Sequence, residues 1–251
     1  MITGIDHLVI AVRAVDTAAA GMERVLGLAV TGGGRHEKMG TLNRLAFLGD
    51  TYLELIGVDD EAVVRSNPAF AVGNAALALL ASGREGLATY ALATDDVGAE
   101  VAGLRAAGSP ISEPRQGSRR RPDGEVVRWW TAFPELGPER PPFLIEHEPA
   151  GAEWGPEARA SRSSFRQPVG GAVRLTTLEL PVPDAMTVAG AYGSVLGLAF
   201  SEGWRAAIGE QCVVLREGAR EPVVELSVEP TTPPLDVVLF GIRWRRVMDA
   251  S

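Results

Sequence analysis

Two residues with acid–base or metal-binding side chains stand where plain strand core is expected. His7 lies within Ile5-Asp6-His7-Leu8-Val9-Ile10-Ala11-Val12, and Glu54 within Tyr52-Leu53-Glu54-Leu55-Ile56. A third donor comes from His147, or from Glu146 beside it, at the end of Pro142-Phe143-Leu144-Ile145. A catalytic divalent site uses at least three protein ligands from His, Asp, Glu or Cys and keeps a position open. His7, Glu54 and one of His147 or Glu146 could make such a set, of a kind that suits iron or another divalent ion. The alternative is a metal-free cavity in which His7 and Glu54 are hydrogen-bonded. Glu54 then serves as the general base. Tyr52, Glu54 and Ile56 share one face of their strand and Leu53 and Leu55 the other, so packing of the leucines turns the carboxylate toward a cavity.

Other polar groups could orient a ligand. His36 follows Gly32-Gly33-Gly34-Arg35, and with Asn43 could meet ligand polar groups at the cavity mouth. No Gly-x-Gly-x-x-Gly turn leads from that run into a helix, which excludes a nucleotide loop. Arg119-Arg120-Arg121 precede the turn signal Pro122-Asp123-Gly124. If the strand continues through the run, Arg119 and Arg121 share a face, and one of them, with Arg121 preferred, could clamp a substrate carboxylate bidentately. A solvated charge run is the bland alternative. Trp130, on the next strand, is a candidate cavity wall, with ordinary core as its alternative.

The elements that position these residues recur. Val25-Leu26-Gly27-Leu28-Ala29 returns as Val195-Leu196-Gly197-Leu198-Ala199, with Thr177 as far before Gly197 as His7 is before Gly27. Val223-Val224-Glu225-Leu226 matches Tyr52-Leu53-Glu54-Leu55 after one insertion, which places Glu225 at the Glu54 position. A weaker middle copy begins at Leu87, with Thr89 at the His7 position and Ile145, without gaps, at the Glu54 position. In the first copy Val15, Ala19, Met22 and Leu26 lie on one helical face, and Gly27 stops the helix. Each unit reads β-α-β-β-β. Between the first two copies, Phe70 to Leu80 predicts a helix. Pro149 to Gly171 reads as a linker or exposed loop. The tail, Asp236 to Trp244, reads as one further strand, either pairing onto the third unit or opening a truncated fourth.

The fold class that follows is α+β, built of repeated βαβββ modules. Residues 1–148 hold two modules, and 172–251 hold a third module with an extra C-terminal strand. A net charge of −8 argues against a general nucleic-acid binder. No segment is apolar and long enough to span a membrane, and the first strand is not a secretory signal. The single cysteine, Cys212, rules out an intrachain disulfide and fits a reducing cytoplasm.

The ordered set Ile5-Asp6-His7-Leu8-Val9, Gly34-Arg35-His36, Gly40 to Gly49, Tyr52-Leu53-Glu54-Leu55, Arg121-Pro122-Asp123-Gly124 and Pro142-Phe143-Leu144-Ile145 resembles the vicinal oxygen chelate superfamily, closest to its glyoxalase-like domain branch. The resemblance implies that the two modules of residues 1–148 pair into a curved sheet around a cavity, and that a divalent metal (Fe, Zn, Mn or Ni) is held by first and last strands. His7 and Glu54 match that pattern, whereas Thr89 and Ile145 depart from it. It further implies a small oxygen-rich or carboxylate ligand and a lyase, isomerase or dioxygenase activity, with a homodimer as a candidate assembly. A non-catalytic or antibiotic-resistance-type sequestering protein is the alternative.

Overall fold

The computed structural model describes residues 1–36, 38–121, 124–134, 142–150 and 153–248. Pro122 and Asp123 of the turn signal, and residues 249–251 of the tail, lie outside them.

The first module runs β1 (Ile2–Ala11), α1 (Val15–Leu26), β2 (Thr31–His36), β3 (Thr41–Leu48) and β4 (Thr51–Val58). Gly27 ends α1 in the left-handed conformation, with φ 61°. Two helices follow, α2 (Glu61–Ser66) and α3 (Ala71–Ala81), the second on the segment expected to be helical. The second module comprises β5 (Gly86–Thr94), α4 (Val97–Ala106), β6 (Arg115–Arg120), β7 (Val126–Ala132) and β8 (Phe143–His147). Asp96 caps α4 by accepting from the Ala99 N–H.

These eight strands form one sheet in the order β2-β3-β4-β1-β5-β8-β7-β6. It curls until its two ends nearly meet. Arg119 on β6 reaches toward the Gly33 carbonyl on β2 at 3.5 Å. A side chain at Gly34 would stand 3.1 Å from the Arg120 carbonyl oxygen. Strand alternation then sorts the two faces. Leu8, Ile10, Leu53 and Leu55 point to the convex side and join the main core. Val9, Ala11, Ile56, Ala91, Phe143 and Ile145 line the concave side, where Val72 and Ala76 of α3 close one end.

The segment read as a linker carries α5 (Pro156–Ser164) and a buried Trp154, 3% exposed. Trp154 packs with Leu45, Tyr52 and Val127 at the other end of the concave face. Polarity of the segment hid this, because one large aromatic anchors it rather than a periodic stripe.

The remaining chain gives β9 (Val173–Val182), α6 (Ala185–Leu196), β10 (Arg205–Ile208), β11 (Gln211–Glu217), β12 (Val223–Val228), β13 (Leu235–Leu239) and β14 (Ile242–Met248). Its sheet order is β10-β11-β9-β12-β14-β13. That repeats the inner order β3-β4-β1-β5-β8-β7 of the first sheet, with the same parallel and antiparallel pairings. Two corrections follow. The strand parallel to β9 is β11, where Cys212 pairs with Thr177 as Tyr52 pairs with His7. Two residues on, Val214 occupies the Glu54 position. Glu225 sits instead on β12, the counterpart of β5. The tail is a hairpin, β13 and β14, rather than one strand, because Phe240 and Gly241 both adopt positive φ and turn the chain. Local sequence likeness misaligned these strands, since Val-Val-Glu-Leu fits any half-buried strand.

One core joins both sheets and runs through α1 and α6. Trp244 on β14 is fully buried in it and donates its indole N–H to the Leu239 carbonyl at 3.1 Å. No helix among the described residues is long and apolar enough to cross a membrane. Because Trp244 fills shared core, Trp244→Ala is expected to cost about 3–5 kcal/mol, measured by urea unfolding. An effect below about 1 kcal/mol would mean that the hairpin merely rests on the surface.

Candidate functional site

The concave face of the first sheet holds a cavity of about 240 Å³, small beside the ~300–1,000 Å³ typical of drug-sized ligand sites. Its polar groups come from six strands and the segment before α5. His7, Glu54, Asn43, His36, Arg119, His147 and Glu153 all line it. Aromatic walls come from Tyr52, Phe70, Trp129, Phe133 and Phe143.

A β-bulge organises one side. Ile5 pairs with Leu92 and His7 with Ala91, so Asp6 has no counterpart on β5 and the alternation is broken there. Asp6 and His7, adjacent in sequence, therefore reach the same buried spot. His7 Nδ1 lies 2.6 Å from Asp6 Oδ1. His147 Nε2 lies 3.0 and 3.1 Å from the two Asp6 oxygens. Burial pushes the Asp6 carboxyl up, but the charges and hydrogen bonds of His147 and His7 together outweigh it and hold it well below the usual carboxylate range. An ionised Asp6 only accepts, so both imidazoles donate to it. His7 then carries its proton on Nδ1 and turns Nε2 toward Glu54, 3.7 Å from Oε2. That gap is too long for a direct hydrogen bond.

The second sheet supports the bulge. Gln211 on β11 accepts from the Ile5 N–H at 2.5 Å and donates to the Thr51 hydroxyl at 2.9 Å. Thr51 in turn donates to the Ile5 carbonyl. A side chain at Gly4 would come within 2.9 Å of the Gln211 amide oxygen, so glycine leaves room for this tie.

Glu54 is set from the opposite side. Its Oε1 accepts from Asn43 Nδ2 at 2.6 Å. Asn43 Oδ1 accepts from the Gly34 N–H at 2.9 Å, which fixes the orientation of the amide. Gly33, at φ 83°, makes this possible: a side chain there would collide with the Asn43 carbonyl oxygen at 2.2 Å. The glycine run is thus a bulge that brings Gly34 onto Asn43. His36 rests against the Thr41 hydroxyl at 2.9 Å and edge-on to Trp129. Burial lowers the His36 pKa, opposed by Glu54 and aided by Arg119. Burial, then Asp6, Glu54 and Glu153, push the Tyr52 phenol well above its usual range, so it stays protonated at neutral pH.

The structure brings His7, Glu54, Asn43 and His36 together. It moves two expected roles by one or two residues. Trp130 packs against the convex core and Trp129 takes the cavity position. A flush neighbour at Gly117, where a side chain would meet the Trp129 indole nitrogen at 2.3 Å, lets that ring lie flat. Arg121 lies past the end of β6, half-buried, with its N–H bonded to the Glu125 carbonyl. Arg119 lines the cavity instead, 6% exposed. Asp6, Glu153 and Trp154 were not singled out from the sequence. Adjacency to His7 was the only signal for Asp6, and strict alternation argued against it.

The donors do not fit a resident catalytic metal. His7 Nε2 and Glu54 Oε2 are two donors, and the residues level with His7 on β5 and β8 are Ala91 and Phe143. His147 is committed to Asp6, and Glu146 accepts from the Val97 N–H at the start of α4. Among the described residues no group of three or more His, Cys, Asp or Glu is placed to hold a metal ion.

A family model described as a glyoxalase-like domain matches residues 5–196. A hypothetical protein from Staphylococcus aureus superposes over 97% of this chain and 98% of its own, with a TM-score of 0.81 at 17% identity, and so shares the fold. A Streptomyces coelicolor methylmalonyl-CoA epimerase variant in complex with 2-nitronate-propionyl-CoA aligns with 58% of this chain and 94% of its own, at 24% identity and a TM-score of 0.43. No curated protein sequence matches.

The low His36 pKa has a consequence for stability. Below the ordinary imidazole value of 6.5 the unfolded chain takes up a proton that folded His36 resists. Stability therefore falls as pH drops from that value toward the lower folded one. Asp6, with its folded pKa depressed, loses its contribution only at much more acidic pH, near and below 3.8. His36→Gln is expected to flatten the decline in urea midpoint between about pH 7 and about pH 5.5. An unchanged slope would place the titrating group elsewhere.

Proposed function

The chain belongs to the glyoxalase-like domain family of the vicinal oxygen chelate superfamily, and we propose that its cavity acts on a small oxygen-rich metabolite by general base chemistry, without a resident metal. The observation that carries this reading is Glu54. It is buried in the cavity, with one oxygen anchored by Asn43 and the other 3.7 Å from His7 Nε2, beyond hydrogen-bond distance.

A base so held can take a proton from carbon next to a carbonyl. The anchored oxygen fixes the rotamer, and Oε2 faces the ligand space. The electron pair of the broken C–H bond passes to the carbonyl oxygen. A neutral His36 that accepts from the Thr41 hydroxyl at Nδ1 carries its proton on Nε2 and can donate to that oxygen, whereas His7 Nε2, with the ring proton on Nδ1, can only accept. Return of the proton from Glu54 to the same carbon restores the substrate and only exchanges the proton. Delivery to the other carbon of an enediolate, with the hydroxyl proton passing to the former carbonyl oxygen, gives an isomerase, and departure of a leaving group with its electron pair from the next carbon gives a lyase.

The aromatic walls favour a second reading. Trp129, Phe143 and Tyr52 could hold a flat ligand by stacking alone, as a sequestering protein would.

Exchange of α-protons into D2O separates the two. A panel of small oxo-acids and hydroxy-ketones is followed by proton NMR with the wild type and with Glu54→Gln. Wild-type exchange above background, reduced about 10²- to 10⁴-fold in the variant, is expected. Equal exchange by both proteins overturns Glu54 as base. Saturable binding with no exchange by the wild type would establish the sequestering function.

A further inference from the structure

We infer that the cavity's anion site is occupied by the chain's own Glu153, and that a ligand carboxylate binds Arg119 by displacing it and opening the segment 153–164. This rests on the cavity function proposed above and names its ligand class.

Arg119 is a buried cation on the cavity wall. Its Nη2 donates to both oxygens of Glu153, at 2.7 and 2.6 Å. Glu153 does not belong to the strand framework. It precedes α5 and lines the cavity from the side where the segment closes over it. A buried guanidinium needs an anion, and a carboxylate from outside would satisfy it equally well. Glu153 therefore stands where a ligand carboxylate would stand.

The closed segment is imperfectly satisfied. Three buried side-chain polar atoms lack a hydrogen-bond partner among the described residues: Trp154 Nε1, Arg162 Nε and His147 Nδ1. Two lie on this segment, and the third lies under it, since the Trp154 ring stacks on His147 at 3.9 Å. Its outer ties are ion pairs from Arg159 and Arg162 to the half-exposed Asp50, a kind of pair that contributes little at a surface. Opening would rehydrate the unpaired atoms. It would also widen the cavity toward a neighbouring cleft of about 870 Å³, because Ile145 and His147 line both spaces and Trp154, stacked on His147, lines the cleft. The closed form thus excludes water and the open form admits an anion.

Propionate tests this, with propionamide as its neutral counterpart and sodium chloride matched for ionic strength. Glu153→Gln keeps the shape and removes the competing charge. It is expected to lower Tm without ligand, and to bind propionate at least tenfold more tightly than the wild type, with Tm recovering as it binds. Propionamide should do neither. In the double variant Arg119→Gln/Glu153→Gln, the propionate response should vanish. If the variants do not fold, the wild type still reports, because saturating propionate should speed tryptic cleavage after Arg159 and Arg162 severalfold. Equal propionate affinity in wild type and Glu153→Gln overturns the displacement, whether or not Glu54→Gln loses proton exchange. So does cleavage that propionate leaves unchanged. A tighter Glu153→Gln site in a protein without exchange activity upholds the anion site and removes only the chemistry.

Discussion

The extra residue at Asp6 in β1 decides where the histidines of the cavity point. In an unbroken strand, Asp6 and His7 would face opposite sides of the sheet, and a carboxylate would enter the convex core. The bulge returns Asp6 to the concave side. There it accepts from His7 and His147 at once and becomes the buried anion around which both rings are oriented. A buried carboxylate is costly unless its oxygens are filled by donors. Two imidazole N–H groups meet that requirement, and in doing so fix which His7 nitrogen faces Glu54.

The second sheet acquires a function from this arrangement. It repeats the topology of the first but has Thr177 and Val214 at the positions of His7 and Glu54. Several charged groups of its strands pair with one another, as Arg216 does with Glu179 and Arg243 with Asp236. What it supplies to the cavity is Gln211, which holds the backbone on the N-terminal side of the bulge. The module that lacks counterparts of His7 and Glu54 thus steadies the module that has them. The common core running through α1 and α6 makes that support rigid.

The two ends of the concave face are closed by different means. At one end α3 packs small and branched side chains, Val72 and Ala76, against Val9, Ala11 and Ile56. That contact is apolar and fully satisfied. At the other end the segment around Trp154 combines a stacked ring, surface ion pairs and unpaired polar atoms. Local stability follows such differences in contact quality. The two closures are unequal, and the weaker one carries Glu153.

Much of this was legible in the sequence by itself. Alternation in Tyr52-Leu53-Glu54-Leu55-Ile56 put Glu54 on the concave face, because a strand face is set by period two wherever leucines must be buried. The repeat around Gly27 and Gly197 marked equivalent helix ends, since both positions need left-handed backbone. His7, His36 and Asn43 were assigned to the cavity by the family resemblance and by the glycine run before His36, not by alternation. Alternation failed where a bulge or a strand boundary intervened. It could not foresee Asp6 turning inward, Arg119 rather than Arg121 reaching the cavity, or Trp129 exchanging places with Trp130. Local sequence likeness, in turn, aligned Glu225 with Glu54, when the strand at that place is β11. Those outcomes depend on register between strands distant in the chain, and on which buried charge finds a partner. The closing role of Glu153 and Trp154 depends on a single aromatic anchor in a polar stretch. Periodicity carries no record of such pairings, so only the tertiary structure could decide them.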